Sequence, residues 1–269
     1  MSGTRKSRAG LGLAGFIIVA LSLGLSFIGA PLLEDAAYRI DMAQRLRPPS
    51  AEHWFGTDSL GRDLLARVLA GGRVSLGLGF SAGVLSTILA LLIGLYGSVN
   101  RILDALLFGL CDALRAVPTL LLAIALVTAL GGGASRLLIV LSLCSTPAMA
   151  RLVRSTVLVV REQPYIQVAR IQGAGPGRLL FCHILPNILS PLSVQFSFTC
   201  AQTMLIEAAL SFLGAGITAP LPSWGNILQE GQTLMFAAPW MILFPGLFMA
   251  LTILGINFLA GEIRPIYGR

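Results

Sequence analysis

The sequence predicts an all-α polytopic membrane protein with six transmembrane helices, both termini cytoplasmic, and short helices in the cytoplasmic loop between spans 4 and 5. Three observations predict this. The 269 residues are 55% hydrophobic and only 12% charged, whereas soluble domains average about 25% charged. The apolar residues gather into six runs, each close to the roughly 20 residues that cross a hydrocarbon core. The basic residues are mostly arginines in short loops and divide unevenly between the two sides. That pattern sets membrane orientation and fits it better than it fits nucleic-acid binding.

Each element follows in order. Span 1 is expected over 11–33. It follows the basic tail MSGTRKSRAG and is read as uncleaved, because the run is long and carries no clear cleavage site. A polar segment, 34–73, precedes span 2 at 74–97. A turn at Asn100 and Arg101 leads to span 3, 104–130, and GGGASR at 131–136 is a tight loop before span 4, 136–160. Span 5 is expected over 186–211, a polar segment over 214–237, and span 6 over 239–260. The chain divides into an N-terminal part, 1–73 (tail, first span and external segment), and a five-helix core, 74–269, containing the loop 161–185.

Orientation follows from the charges. One side receives Arg5, Lys6, Arg8, Arg101, Arg151, Arg154, Arg161, Arg170, Arg178, Arg264 and Arg269 against Asp104, Glu162 and Glu262. The other receives seven basic and seven acidic residues, Asp58, Arg62 and Asp63 among them. The excess of positive charge places both termini and 161–185 inside, and 34–73 and 214–237 outside.

The stretch REQPYIQVARIQGAGPGRLLFCHILPN, 161–187, is the longest interior segment too polar for lipid. Pro164 is suited to open a helix, where its missing N–H goes unneeded. Tyr165, Val168, Ala169 and Ile171 form one short amphipathic helix. Gly173, Gly175, Pro176 and Gly177 break it. A second short helix runs through Leu179, Leu180 and Phe181, and Pro186 opens the next apolar run. Two short helices at a glycine elbow between spans form a docking surface for a soluble partner.

Several chemistries are excluded. Lys6 is the only lysine, so no phosphate-binding loop of the Walker A type exists. GFSAG, Gly79 to Gly83, has nucleophile-elbow spacing but falls within a span and lacks the histidine such an elbow requires. His53 and His183 fall on opposite sides of the membrane, and no metal site is expected. Cys111, Cys144, Cys182 and Cys200 lack metal-ligand spacing and read as small apolar packing residues. Gly79 and Gly83 allow close helix approach, and Pro118, Pro147, Pro191 and Pro245 punctuate the spans. Asp112 and Arg115, at i and i+3, are placed for a local ion pair. Gln195, Gln202 and Glu207 are the polar residues of span 5. Gln202 and Glu207 are candidates for a translocation path, and Glu207 alternatively touches only the outer interface.

QVARIQGAGPGRLLFCHILP resembles the EAA loop of bacterial ABC importer permeases. Gln167, Val168 and Ala169 occupy the Glu-Ala-Ala triplet, Gly173 the following glycine, and Ile184, Leu185 and Pro186 the closing Leu-Pro. Gln167 replaces the glutamate, so a salt bridge from that position is lost. HWFGTDSLGRDLLARVLAGGRVSLGLG (53–79), RAVPTLLLAIALV (115–127) and EAALSFLGAGITAPLPSWGNIL (207–228) resemble the dipeptide, oligopeptide and nickel branch, in its second, "C"-type permease. The resemblance implies a transport subunit of the bacterial cytoplasmic (inner) membrane, not an enzyme, with no cofactor of its own and with ATP and Mg on partner subunits. It implies a homologous second permease, two ATPase subunits, an extracytoplasmic binding protein and lipid as partners, and no nucleic acid. ATPase coupling then falls to Tyr165, Gln167, Val168, Ala169, Gly173, Gly177, Leu185 and Pro186, and external contact to Asp58, Arg62, Asp63 and Trp224, with local helix capping as the alternative for the Asp58 group. Peptides are the implied cargo. Nickel or a metal–chelator complex is the alternative, and the absence of histidines from the spans argues against bare Ni²⁺. A self-sufficient secondary transporter or channel leaves the glycine-elbow loop unexplained.

Overall fold

The computed structural model describes residues 3–97 and 101–263. Arg264 and Arg269, which enter the charge count, and the turn at Asn100 lie outside them. The helices are α1 (Gly3–Gly24), α2 (Leu64–Gly97), α3 (Arg101–Ala116), α4 (Thr119–Leu130), α5 (Ala134–Arg161), α6 (Pro164–Ile171), α7 (Leu185–Phe212), α8 (Trp224–Gln232) and α9 (Trp240–Ile263). The chain is helical throughout its described core. Among the described residues, five helices are long and apolar enough to cross a membrane, and a sixth crossing arises if α3 and α4 are one bent span.

Apolar packing divides by depth, where inner names the end of the bundle that carries 161–185 and outer the end that carries 34–63. An inner cluster joins Leu95 of α2, Phe108 of α3, Met149 and Val157 of α5, Ile166 of α6 and Ile188 of α7. An outer cluster joins Leu78, Ala123, Leu141 and Leu210. A third packs Leu64, Trp224, Ile227 and Met241 beneath the external segment. The Gly79 and Gly83 pair does bring two helices together. A methyl carbon on Gly83 would press on Cys200 Sγ of α7, and the Gly79 carbonyl accepts a 3.1 Å bond from Thr203 Oγ1.

Three expectations about elements need correction. α2 begins at Leu64, ten residues before the expected span. Asp63 accepts the Ala66 N–H at 2.8 Å and so caps the helix. Arg67 and Arg73 had made this stretch look polar, but Arg67 is neutralised by partners distant in sequence. Span 3 is not one helix. α3 and α4 meet at an angle of 99° around Val117 and Pro118. Pro118 disfavours helical geometry at the preceding residue, so one helix ends there and another starts. The second short helix expected in the loop 161–185 is not separate either. Residues Pro176–Arg178 run through a π-helical stretch, Leu179–Ile184, directly into α7. The wider turn precedes Pro186, whose ring would otherwise press on the carbonyl four residues back.

Candidate functional site

The loop between α5 and α7 is built around α6. Gln163 is extended (φ −67°, ψ 140°), and Pro164 takes the first helical position. Ile166 is fully buried in the inner cluster, beside Val160, Leu179 and Ile184. Gln167 is exposed, and Tyr165, Val168 and Ile171 show 44%, 52% and 86% of their surface. One side of the helix is thus anchored and the other presents apolar surface, while Ala169 is half-buried between them. The glycine elbow has a defined geometry. Gly173 has φ +87°, its N–H donates to Arg170 O, and Ala174 N–H donates to Ala169 O, both at 3.0 Å. These are the two bonds of a Schellman C-cap, whose left-handed position glycine fills without steric cost. Gly177 and Pro186 are exposed, Leu185 is half-buried, and Phe181 is 63% exposed.

The outer end is built differently. Asp58 accepts from Leu60 N–H (2.8 Å), Arg62 N–H (2.9 Å), Arg62 Nε (2.6 Å) and an Arg67 guanidinium nitrogen (2.7 Å). Arg67 also donates to both oxygens of Glu230 on α8, at 2.6 and 2.8 Å. Asp63 pairs with His53 Nδ1 at 2.8 Å. Phe55 stacks on Phe244 of α9 with ring centroids 3.9 Å apart. Expectation is corrected here for Asp58 and Trp224, which are fully buried and cannot themselves touch a partner. Arg62 and Asp63 are mostly covered as well. Together these residues fix the external segment onto α2, α8 and α9. Arg67 and Glu230 were missed by sequence reasoning, because nothing local pairs charges 163 residues apart.

Glu207 is a second buried hub. It neither lines a path nor touches the outer interface. Its carboxylate accepts from Ser75 Oγ and Ser211 Oγ, both at 2.8 Å. Each hydroxyl accepts in turn from a backbone N–H, Trp224 at 3.2 Å and Ile217 at 3.0 Å. The indole N–H of Trp224 donates to Val68 O at 2.9 Å. Glu207 therefore joins α2 and α7 to both ends of the external loop before α8. A fully satisfied buried network of this kind rigidifies what it connects.

On the inner half, Asp112 does not pair with Arg115. It accepts from Arg151 of α5 instead. Arg154 forks onto Asp104 through Nε at 2.7 Å and lies 4.7 Å from the centre of the Phe108 ring. Gln202, the other candidate for a translocation path, is exposed on α7. Among the described residues, no cluster of three or more His, Cys, Asp or Glu side chains is placed to hold a metal ion.

Comparison with known proteins agrees with this architecture. The family described as binding-protein-dependent transport system inner membrane component matches residues 76–265. The dipeptide transport system permease protein DppC of Alkalihalophilus pseudofirmus is 42% identical over 259 residues, 94% of this chain and 84% of that protein. The oligopeptide transport system permease protein OppC of Bacillus subtilis is 36% identical over 260 residues, 94% of this chain and 84% of that protein. The glutathione transport system permease protein GsiD of Pectobacterium atrosepticum is 37% identical over 263 residues, 96% of this chain and 86% of that protein. In fold, the chain resembles an inward-facing structure of the MetNI methionine ABC transporter, with TM-score 0.64 and 20% identity over 77% of this chain and 97% of that one. The chain belongs to the binding-protein-dependent transport system inner membrane component family and is a membrane-spanning permease subunit of an ABC importer.

Proposed function

We propose that this permease subunit imports di- or oligopeptides delivered by an extracytoplasmic binding protein. It pairs with a homologous second permease and is driven by two ATPases that hold ATP and Mg. The observation that carries the mechanical half of this reading is the split surface of α6. Ile166 is buried in the inner core while Tyr165, Val168 and Ile171 stand exposed. A short helix with an apolar outer face fits a groove on a soluble partner. Its buried side abuts the inner ends of α5 and α7, so a push on α6 moves both as a packed unit.

Peptide cargo is supported by relatives named for dipeptide and oligopeptide transport. The arginine balance supports both termini and 161–185 in the cytoplasm. A division near 73 would cut α2, which runs unbroken from Leu64 to Gly97. Tyr165, Gln167, Val168, Ala169, Gly173, Gly177, Leu185 and Pro186 carry the coupling, Tyr165, Gln167 and Val168 by contact, Gly173 by setting the elbow. Deleting Tyr165 to Arg170 leaves the chain inserted but abolishes co-purification of the ATPases and peptide uptake. Uptake by the deletion variant at the parent rate would overturn the coupling assignment.

A further inference from the structure

The inner half of α5 carries an exposed strip that the coupling reading leaves unused. Ala148, Arg151, Ser155 and Val159 recur at three- and four-residue spacing and are all exposed, so they share one helix face. On one flank Asp112 of α3 pairs with Arg151, and both side chains keep more than half of their surface. On the other flank a pocket of about 290 Å³ lies between Leu152 of α5 and Ser190, Gln195 and Phe198 of α7. Gln202 continues that wall one turn further, exposed like Phe198. Arg151 stands ten residues before Arg161, roughly 15 Å along the helix axis.

An exposed acid–base pair among membrane spans is costly against lipid and belongs against water. Ser190 and Gln195 border the strip among the apolar Leu152, Pro191, Val194 and Phe198, and Ile102, Leu106 and Leu110 of α3 are exposed. We propose that this strip lines the inner half of the aqueous path, and that Asp112 and Arg151 are its specificity-determining pair. The proposal rests on the peptide-import reading. A peptide with free ends carries an ammonium and a carboxylate. Asp112 accepts from the first, Arg151 grips the second through its planar fork, and the two regain each other once the peptide leaves. A zwitterion thus passes without either charge being stranded, whereas a singly charged solute leaves one protein charge unpaired.

Two measurements on the assembled importer in vesicles test this. In a chain whose four cysteines are replaced by alanine, Ala148→Cys and Ser155→Cys should react with a membrane-impermeant charged thiol reagent applied to the cytoplasmic side, and Leu106→Cys should not. In the second, Asp112 and Arg151 are neutralised together (D112N with R151Q), so that neither charge is left without its partner. Peptide moved per ATP hydrolysed, with loaded binding protein saturating, should fall at least tenfold while ATPase stimulation stays within twofold of the parent. A parent-like ratio in the double variant overturns the specificity role, and failure of both Ala148→Cys and Ser155→Cys to label overturns the path. If the unmodified importer moves no peptide, the peptide reading fails instead, and the labelling still decides whether the strip is wet.

Discussion

The two ends of this subunit are held by opposite means. At the outer end, Asp58, Arg62, Arg67 and Glu230 interlock in a buried ionic cluster, and Glu207 ties two spans to the loop before α8. At the inner end, α6 is held by one buried isoleucine and a glycine cap, with apolar side chains left facing outward. The difference teaches where motion enters. Satisfied buried polar networks have essentially one arrangement. A short helix on an apolar seat can be displaced and return. Under the coupling proposed above, the outer end is a fixed frame and the inner end the part that a partner moves.

Breaking the frame should produce the largest change in stability. Arg67→Met removes one of the two cations that bridge Asp58 and Glu230 and leaves both carboxylates to Arg62. Removing one partner of such a pair costs about 3–5 kcal/mol, so the purified subunit should melt far earlier or fail to accumulate. Normal melting would mean that the cluster is ornamental. Glu207→Ala comes next. It leaves the Ser75 and Ser211 hydroxyls without their acceptor, at a cost of about 1–3 kcal/mol. Protease cutting within 213–223 should rise accordingly, and Glu207→Gln should recover part of the loss.

The inner end should answer in a different readout. Gly173→Val forces a β-branched residue to φ +87°, at a cost of about 1–2 kcal/mol. Co-purification of the ATPases should drop several-fold while the melting of the subunit barely moves. A large melting shift here would erase the contrast between the two ends. Arg154→Ala should matter least for stability. Its pair with Asp104 is partly exposed, and such pairs contribute under about 1 kcal/mol. Its effect should fit within that range in a thermal-shift measurement, with the lost contact to Phe108 included.

Five of the six expected spans, the glycine elbow and the polar residues of span 5 were legible in the sequence, because each depends on composition or on neighbours a few residues away. Gly173 was read as a helix breaker from its type alone, and the structure supplies the two bonds that make it a cap. The break at Pro118 was legible only as punctuation. The 99° turn needed α3 to lie against α2 and α5, where Phe108 is buried.

What the sequence determined by itself, then, was the membrane-spanning class, an uneven arginine distribution among the loops and a polar, glycine-broken segment between two spans. These follow from local hydrophobicity, arginine placement and backbone chemistry. Only the tertiary structure decided which charges meet. Asp112 had Arg115 within one turn but pairs with Arg151, and Arg67 reaches Glu230 across 163 residues. Any arginine can in principle satisfy any carboxylate, so the choice belongs to the packing that brings two helices within reach.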